Sequence, residues 1–167
     1  MTDNYEIKDP QNFVAGTIGA PGTRIFYLQA HDENLVLTLK VEKGQVQSLA
    51  SHLAEILEDT EHPTSAVAIS EMIEPPNAVW TVGALAIGLG EETEEVVVVA
   101  QELPDQEESE PSQAHIHISF DQAKAFVDHA LFLIEYGRDF GRQNGHKPIG
   151  DGRRRPGRQF PERLLGP

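Results

Sequence analysis

The sequence predicts an α+β fold of two βββα units: about six mainly antiparallel strands with two helices packed on one face of the sheet. Three observations predict it. A motif is written twice, 67 residues apart, as Phe13-Val14-Ala15-Gly16-Thr17-Ile18 and Trp80-Thr81-Val82-Gly83-Ala84-Leu85: aromatic, two spacers, glycine, small residue, branched apolar residue. After each copy come two more strand-like runs and an amphipathic helix. The connections within each triplet of strands are short, which makes the strands antiparallel neighbours. An internal duplication is therefore expected, with repeats at about 13–58 and 80–136 inside one domain spanning 1–138. A pseudo-twofold relation between the halves would bury their apolar sheets economically.

The first strand, Phe13 to Gly19, is rich in β-formers and ends in Ala20-Pro21-Gly22-Thr23. Pro21 followed by Gly22 fits the central pair of a type II turn, whose second position needs positive φ. Arg24 to Ala30 and Leu35 to Val41 follow as strands, the latter with its odd positions apolar. From about Gln45 to Leu57 the apolar residues Val46, Leu49, Ala50, Leu53, Ile56 and Leu57 recur at helical spacing. The polar, proline-punctuated stretch Asp59 to Glu74 reads as a surface connection, with Ala66 to Ile69 a short apolar fragment within it.

The second half begins with Val79 to Leu89, whose glycines at 83, 88 and 90 suggest a bulge or a close backbone approach. A turn at Glu91 to Glu94 leads into Val96 to Leu103. Its run of valines marks a strand central in the sheet or covered on both faces. Pro104 to Gln113 carries four acidic residues and two prolines, and reads as a mobile insertion. His115 to Ile118 makes the last strand. Ser119 and Gln122 then form a capping box for a helix from about Phe120 to Tyr136. Phe126, Val127, Ala130, Leu131 and Ile134 share one face of it, and Gly137 marks its end.

Charge is segregated. The 167 residues sum to −14, but positions 148–167 carry five arginines against Asp151 and Glu162, a local +3, so the rest sums to −17. A body this acidic disfavours nucleic acid and favours basic partners. With no cysteine, disulfides, thiolate chemistry and Cys-ligated zinc are excluded. Met1 to Gln11 is polar and acidic and no long apolar run follows, so a cytoplasmic address with no membrane contact is expected.

Chemical motifs are sparse. His115 and His117 fall on one side of a strand, and His129 lies beside Asp128 on the next helix; these are the weak candidates for a metal site. Ile116 and Ile118 mark the apolar side of that strand, so the histidines face solvent and no metal or other cofactor is expected. The glycines neither open a helix after a strand nor end in Gly-Lys-Ser/Thr, which excludes dinucleotide and P-loop phosphate cradles. No pair of carboxylates stands out for acid–base work. Arg153, Arg154, Arg155 and Arg158 form the single basic cluster, in a Gly/Arg/Pro-rich tail at 139–167 expected to be disordered or draped; RNA, an anionic lipid surface and the protein's own acidic body are its alternative contacts.

Residues 13–30, FVAGTIGAPGTRIFYLQA, resemble the opening of an uncharacterised bacterial family, domain of unknown function 3090. Its members share the aromatic-Val-Ala-Gly-Thr run, the Pro-Gly turn and an Arg-led aromatic strand, here Phe13, Gly16, Pro21, Gly22 and Arg24. The resemblance resumes at Trp80 to Gly90, including Trp80 and Gly83, and extends through the strand, capped helix and Gly-Arg ending at 116–138. Many relatives continue into a Cys-x-x-Cys knuckle that looks like a zinc site. This chain has Asp139-Phe140-Gly141-Arg142 there, so the resemblance implies a member without that knuckle. It implies a fold and a bacterial origin, but no reaction.

A non-enzymatic protein-interaction module or adaptor is the leading expectation, with a protein partner or a second copy bound through the acidic body or the arginine tail. The alternative is single-stranded nucleic-acid binding through a Pur-like sheet face, with Phe26, Tyr27 and Trp80 stacking on bases. A third reading is a small-molecule enzyme with a crevice near Trp80, His115 and His117.

Overall fold

The structure is a computed structural model that describes residues 4–20, 22–60, 71–90, 95–104 and 110–143, with side chains through Glu135. Its strands are β1 (Tyr5–Ile7), β2 (Asn12–Ile18), β3 (Ile25–His31), β4 (Val36–Val41), β5 (Trp80–Gly90), β6 (Glu95–Glu102) and β7 (Gln113–Ser119). Helix α1 (Lys43–Asp59) follows β4, and α2 (Phe120–Gln143) follows β7. All seven strands join one sheet in the order β1-β7-β6-β5-β4-β3-β2. The α+β class holds, and the βββα order occurs twice.

Two expectations are corrected. Tyr5–Ile7, within a segment that looked merely polar, is a strand pairing parallel with β7. It escapes periodicity because only Ile7 is fully buried and three residues show no period. Helix α2 does not stop at Gly137 but continues to Gln143, since a single glycine weakens a helix by only ~1 kcal/mol. The sheet is mainly antiparallel, as expected; its parallel pairs are β1–β7 and β4–β5, the latter through Leu39↔Trp80 and Lys40↔Thr81. Across that junction the third strand of one half meets the first of the next, running the same way.

Both helices lie on one face and pack against each other. Register identifies that face: Leu28, Leu39, Val98, Ala100, Ile116 and Ile118 turn toward the helices and are buried. The sheet is strongly curled. Its two edge strands, β1 and β2, are joined by only four residues, so the Cα atoms of Ile7 and Asn12 lie within ~19 Å. Seven strands laid flat would span about 29 Å. Helix α2 fills the curl, touching β7 near one edge and β2 at the other. There the rings of Phe13 and Phe126 stack with centroids 4.7 Å apart.

Each helix begins with a glutamine that works twice. In α2, Ser119 N–H donates to Gln122 Oε1 and Gln122 N–H to Ser119 Oγ, both at 3.0 Å, the expected capping box. Gln122 Nε2 also donates to the Pro10 carbonyl at 2.8 Å, tying α2 to the strand-joining loop. In α1, Gln45 Oε1 accepts from Glu42 N–H at 2.8 Å, and Gln45 Nε2 donates to the Val82 carbonyl at 3.2 Å.

Turns behave as their residues dictate. Thr23 N–H donates to the Ala20 carbonyl at 2.9 Å, and Gly22 has φ 96°, the positive value of a type II second position. Pro21 lies outside the described residues, as do the fragment Ala66 to Ile69, the turn at Glu91 to Glu94, and residues 105–109 of the acidic insertion.

Candidate functional site

The site grows from an interruption in β5. Val82 pairs with Glu102, and Ala84 with Gln101, so Gly83 is the extra residue of a β-bulge. A Cβ at Gly83 would lie 2.9 Å from the Leu103 Cα, which explains a glycine at the bulge. Beyond it the strand leaves β4, which ends at Val41 and turns into α1. From Gly83 to Gly90, β5 pairs only with β6 among the described residues.

Helix α1 runs beside that open edge without closing on it. Between them lies a groove of about 860 Å³. Its floor is apolar. Leu85 and Ile87 sit opposite Ala100 and Val98 and so turn to the helix side, where Leu49 and Ile56 of α1 line the same groove. The helix wall carries the exposed stripe Gly44, Ser48, His52 and Glu55, one face at near four-residue spacing. Glu42 lines the end at the start of α1, where Gln45 holds the Val82 carbonyl. Among the described residues no lysine or arginine lines the groove.

Sequence reasoning missed this site. The helix and strand were both legible. That one strand would outrun its neighbour by eight residues depends on where β4 ends in space. The usable signal was the unequal length of the two runs, Leu35 to Val41 against Val79 to Leu89.

The residues singled out beforehand are not gathered into one site. His115 and His117 share the helix-free face of β7, whereas His129 is on α2, in the layer on the other side of the sheet. They cannot ligate one ion together, and no cluster of three or more His, Asp and Glu suited to a metal occurs among the described residues. Trp80 is buried at the start of β5 and faces the helices, so it forms no crevice with His115 and His117. Phe26 is likewise buried on the helix side. The expected stacking face thus keeps only Tyr27, because strand alternation sends Phe26 inward. Arg24 places its guanidinium 5.5 Å from the Phe26 ring centroid. Phe13 and Gly16 belong to the core of β2, and a Cβ on Gly16 would come within 2.8 Å of the Met72 sulfur. Arg153, Arg154, Arg155 and Arg158 lie outside the described residues.

His117 instead has two carboxylate partners. Its Nδ1 lies 3.0 Å from Glu95 Oε2 on β6, and its Nε2 lies 3.0 Å from Glu6 Oε2 on β1. Burial pulls its pKa down, but the hydrogen bonds and charges of Glu95 and Glu6 together outweigh it, and the net shift is upward from 6.5. Protonated His117 clasps the three-residue edge strand to the sheet.

The comparisons place the chain. The model of a family described as "Protein of unknown function (DUF3090)" matches residues 5–150, and the chain belongs to that family. No curated protein and no solved structure matches it. Among the described residues no helix is long and apolar enough to cross a membrane.

Proposed function

We propose that this chain is a non-enzymatic protein-interaction module whose contact site is the groove between α1 and the open edge of β5. The observation that carries the reading is the edge itself. In an antiparallel strand every second residue turns both N–H and C=O away from its partner. Along Gly83–Ile87 those groups turn toward the groove, and among the described residues no strand receives them. Proteins usually shorten, charge or cover such an edge. This one is long, uncharged from Gly83 to Gly90, and flanked by a helix that leaves space beside it. An edge strand beside a helix is the arrangement in which a partner's extended segment adds to a sheet.

The reading also accommodates the charge. A body at −17 suits a protein ligand better than a phosphate backbone, and the burial of Phe26 and Trp80 removes two of the three aromatics a base-stacking face needs. The test is affinity capture from a native bacterial lysate with the full chain and with Ser48→Trp, which fills the groove from an exposed position of α1. A protein held by the parent and lost by the variant, at equal melting temperature, is the expected result. Equal capture by both would move the contact elsewhere. Nucleic acid released by salt would restore the base-stacking alternative.

A further inference from the structure

We infer that the occupant of the α1/β5 groove is an extended, basic segment of a partner protein, five to seven residues long, with apolar side chains at every second position. The inference rests on the interaction-module reading and names its ligand class. Length comes from the open edge: the groove-lining stretch Gly83–Ile87 is five residues, about 17 Å of strand. Alternation comes from Leu85 and Ile87, which are two apart and face the groove together. A strand laid against β5 sets its own side chains on that side at the same interval, above Leu49 and Ile56. Close approach is permitted by the small residues Gly44, Ala84 and Ala86, and a Cβ placed on Gly44 would meet nothing within 4 Å.

Charge decides the sign. Glu42 lines the groove near the start of α1 and Glu55 lines it more than three turns further on, both exposed, and among the described residues no lysine or arginine lines the groove between them. The surrounding body carries −17. Lysine or arginine at the two ends of the segment meets these carboxylates, whereas an acidic segment is repelled on approach and at rest. The apolar floor supplies adhesion, the β5 backbone sets the extended conformation, and the glutamates select the partner's charge.

The test pans a library of random nonapeptides on the full chain, with counter-selection on Ser48→Trp. Selected peptides are then made with and without N-methylation of alternate backbone amides. The expected winners have net positive charge and apolar residues at i and i+2. They lose at least tenfold in affinity on N-methylation and on Glu42→Gln/Glu55→Gln, and weaken as salt rises. Winners blocked by Ser48→Trp that are acidic, or patterned at i and i+4 like a helix, would overturn this inference while leaving the module reading intact. If no winner is sensitive to Ser48→Trp, both fall. Tighter binding by a full chain in which Arg153, Arg154, Arg155 and Arg158 are all glutamate would also overturn it, since the chain's own tail would then be the occupant.

Discussion

Gln29 and Ile73 exchange two hydrogen bonds across the helix-free face of the sheet. The Ile73 N–H donates to Gln29 Oε1 at 2.8 Å, and Gln29 Nε2 donates to the Ile73 carbonyl at 3.2 Å. Gln29 is 1% exposed, and its second amide proton goes to Thr38 Oγ1 at 3.0 Å. A side-chain amide thus does for Ile73 what a neighbouring strand does for a ladder residue. It pins the segment that precedes β5 onto β3.

Gln29→Leu keeps the volume roughly constant but leaves the Ile73 amide and carbonyl without their partner. Unmaking buried bonds of this kind costs about 1–3 kcal/mol. Urea denaturation should show a loss of that size, with faster hydrogen exchange at the Ile73 amide. An unchanged exchange rate would mean that the segment is held by its other contacts.

Gly16 and Gly83 occupy equivalent places in the repeated motif, yet alanine should not act alike at the two. At Gly83 the new methyl meets the Leu103 backbone at 2.9 Å, which moves only if β6 moves. At Gly16 it meets the side chain of Met72, whose rotamers give way. Overpacking costs about 1–3 kcal/mol, and Gly83→Ala should sit at or above the top of that range, with Gly16→Ala below it. Adding Met72→Ala should remove most of the Gly16→Ala strain in a double-mutant cycle. Equal losses at both sites would contradict this account.

Phe126 is fully buried and stacked on Phe13, so it joins α2 to β2 across the curl of the sheet. Phe126→Ala should cost about 3–5 kcal/mol. Because the contact joins the edge opposite β1, tertiary signals from β2 should be lost together with those of α2. Separate transitions for the two would show that the curl does not depend on this pair.

His117 predicts a pH dependence with a definite sign. Its folded pKa is raised by Glu95 and Glu6 against the opposing effect of burial. The stabilisation is therefore complete below the unfolded value near 6.5 and is lost as pH rises through the raised folded value. His115, two residues along, faces the same side. The stability difference between the parent and His117→Gln should be largest in mild acid and shrink toward alkaline pH. A difference that grew with pH would show that the neutral imidazole is the stabilising form.

Local chemistry was legible along most of the chain. The Pro-Gly turn, the capping box of Ser119 and Gln122, and the core stripes of both helices depend on residues a few positions apart, and each formed where that spacing placed it. Strand β1 was not legible. Three residues carry no period, and Tyr5–Ile7 becomes a strand only because β7, more than a hundred residues away, offers an edge. The groove was equally hidden, since it exists where β5 runs past the end of β4. Grouping His115 and His117 with His129 or Trp80 failed for a related reason: nearness along the chain does not say which side of a sheet a side chain takes.

The amino-acid sequence determined the α+β class, the strands from β2 onward, both helices and the segregation of charge, because periodicity, turn chemistry and composition act over short distances. Tertiary structure alone decided the parallel junction of the halves, the curl about α2, the pairing of His117 with two glutamates and the open edge beside α1. These arise from residues distant in sequence, brought together by the burial of one shared core, and no local pattern records which distant partner a strand will meet.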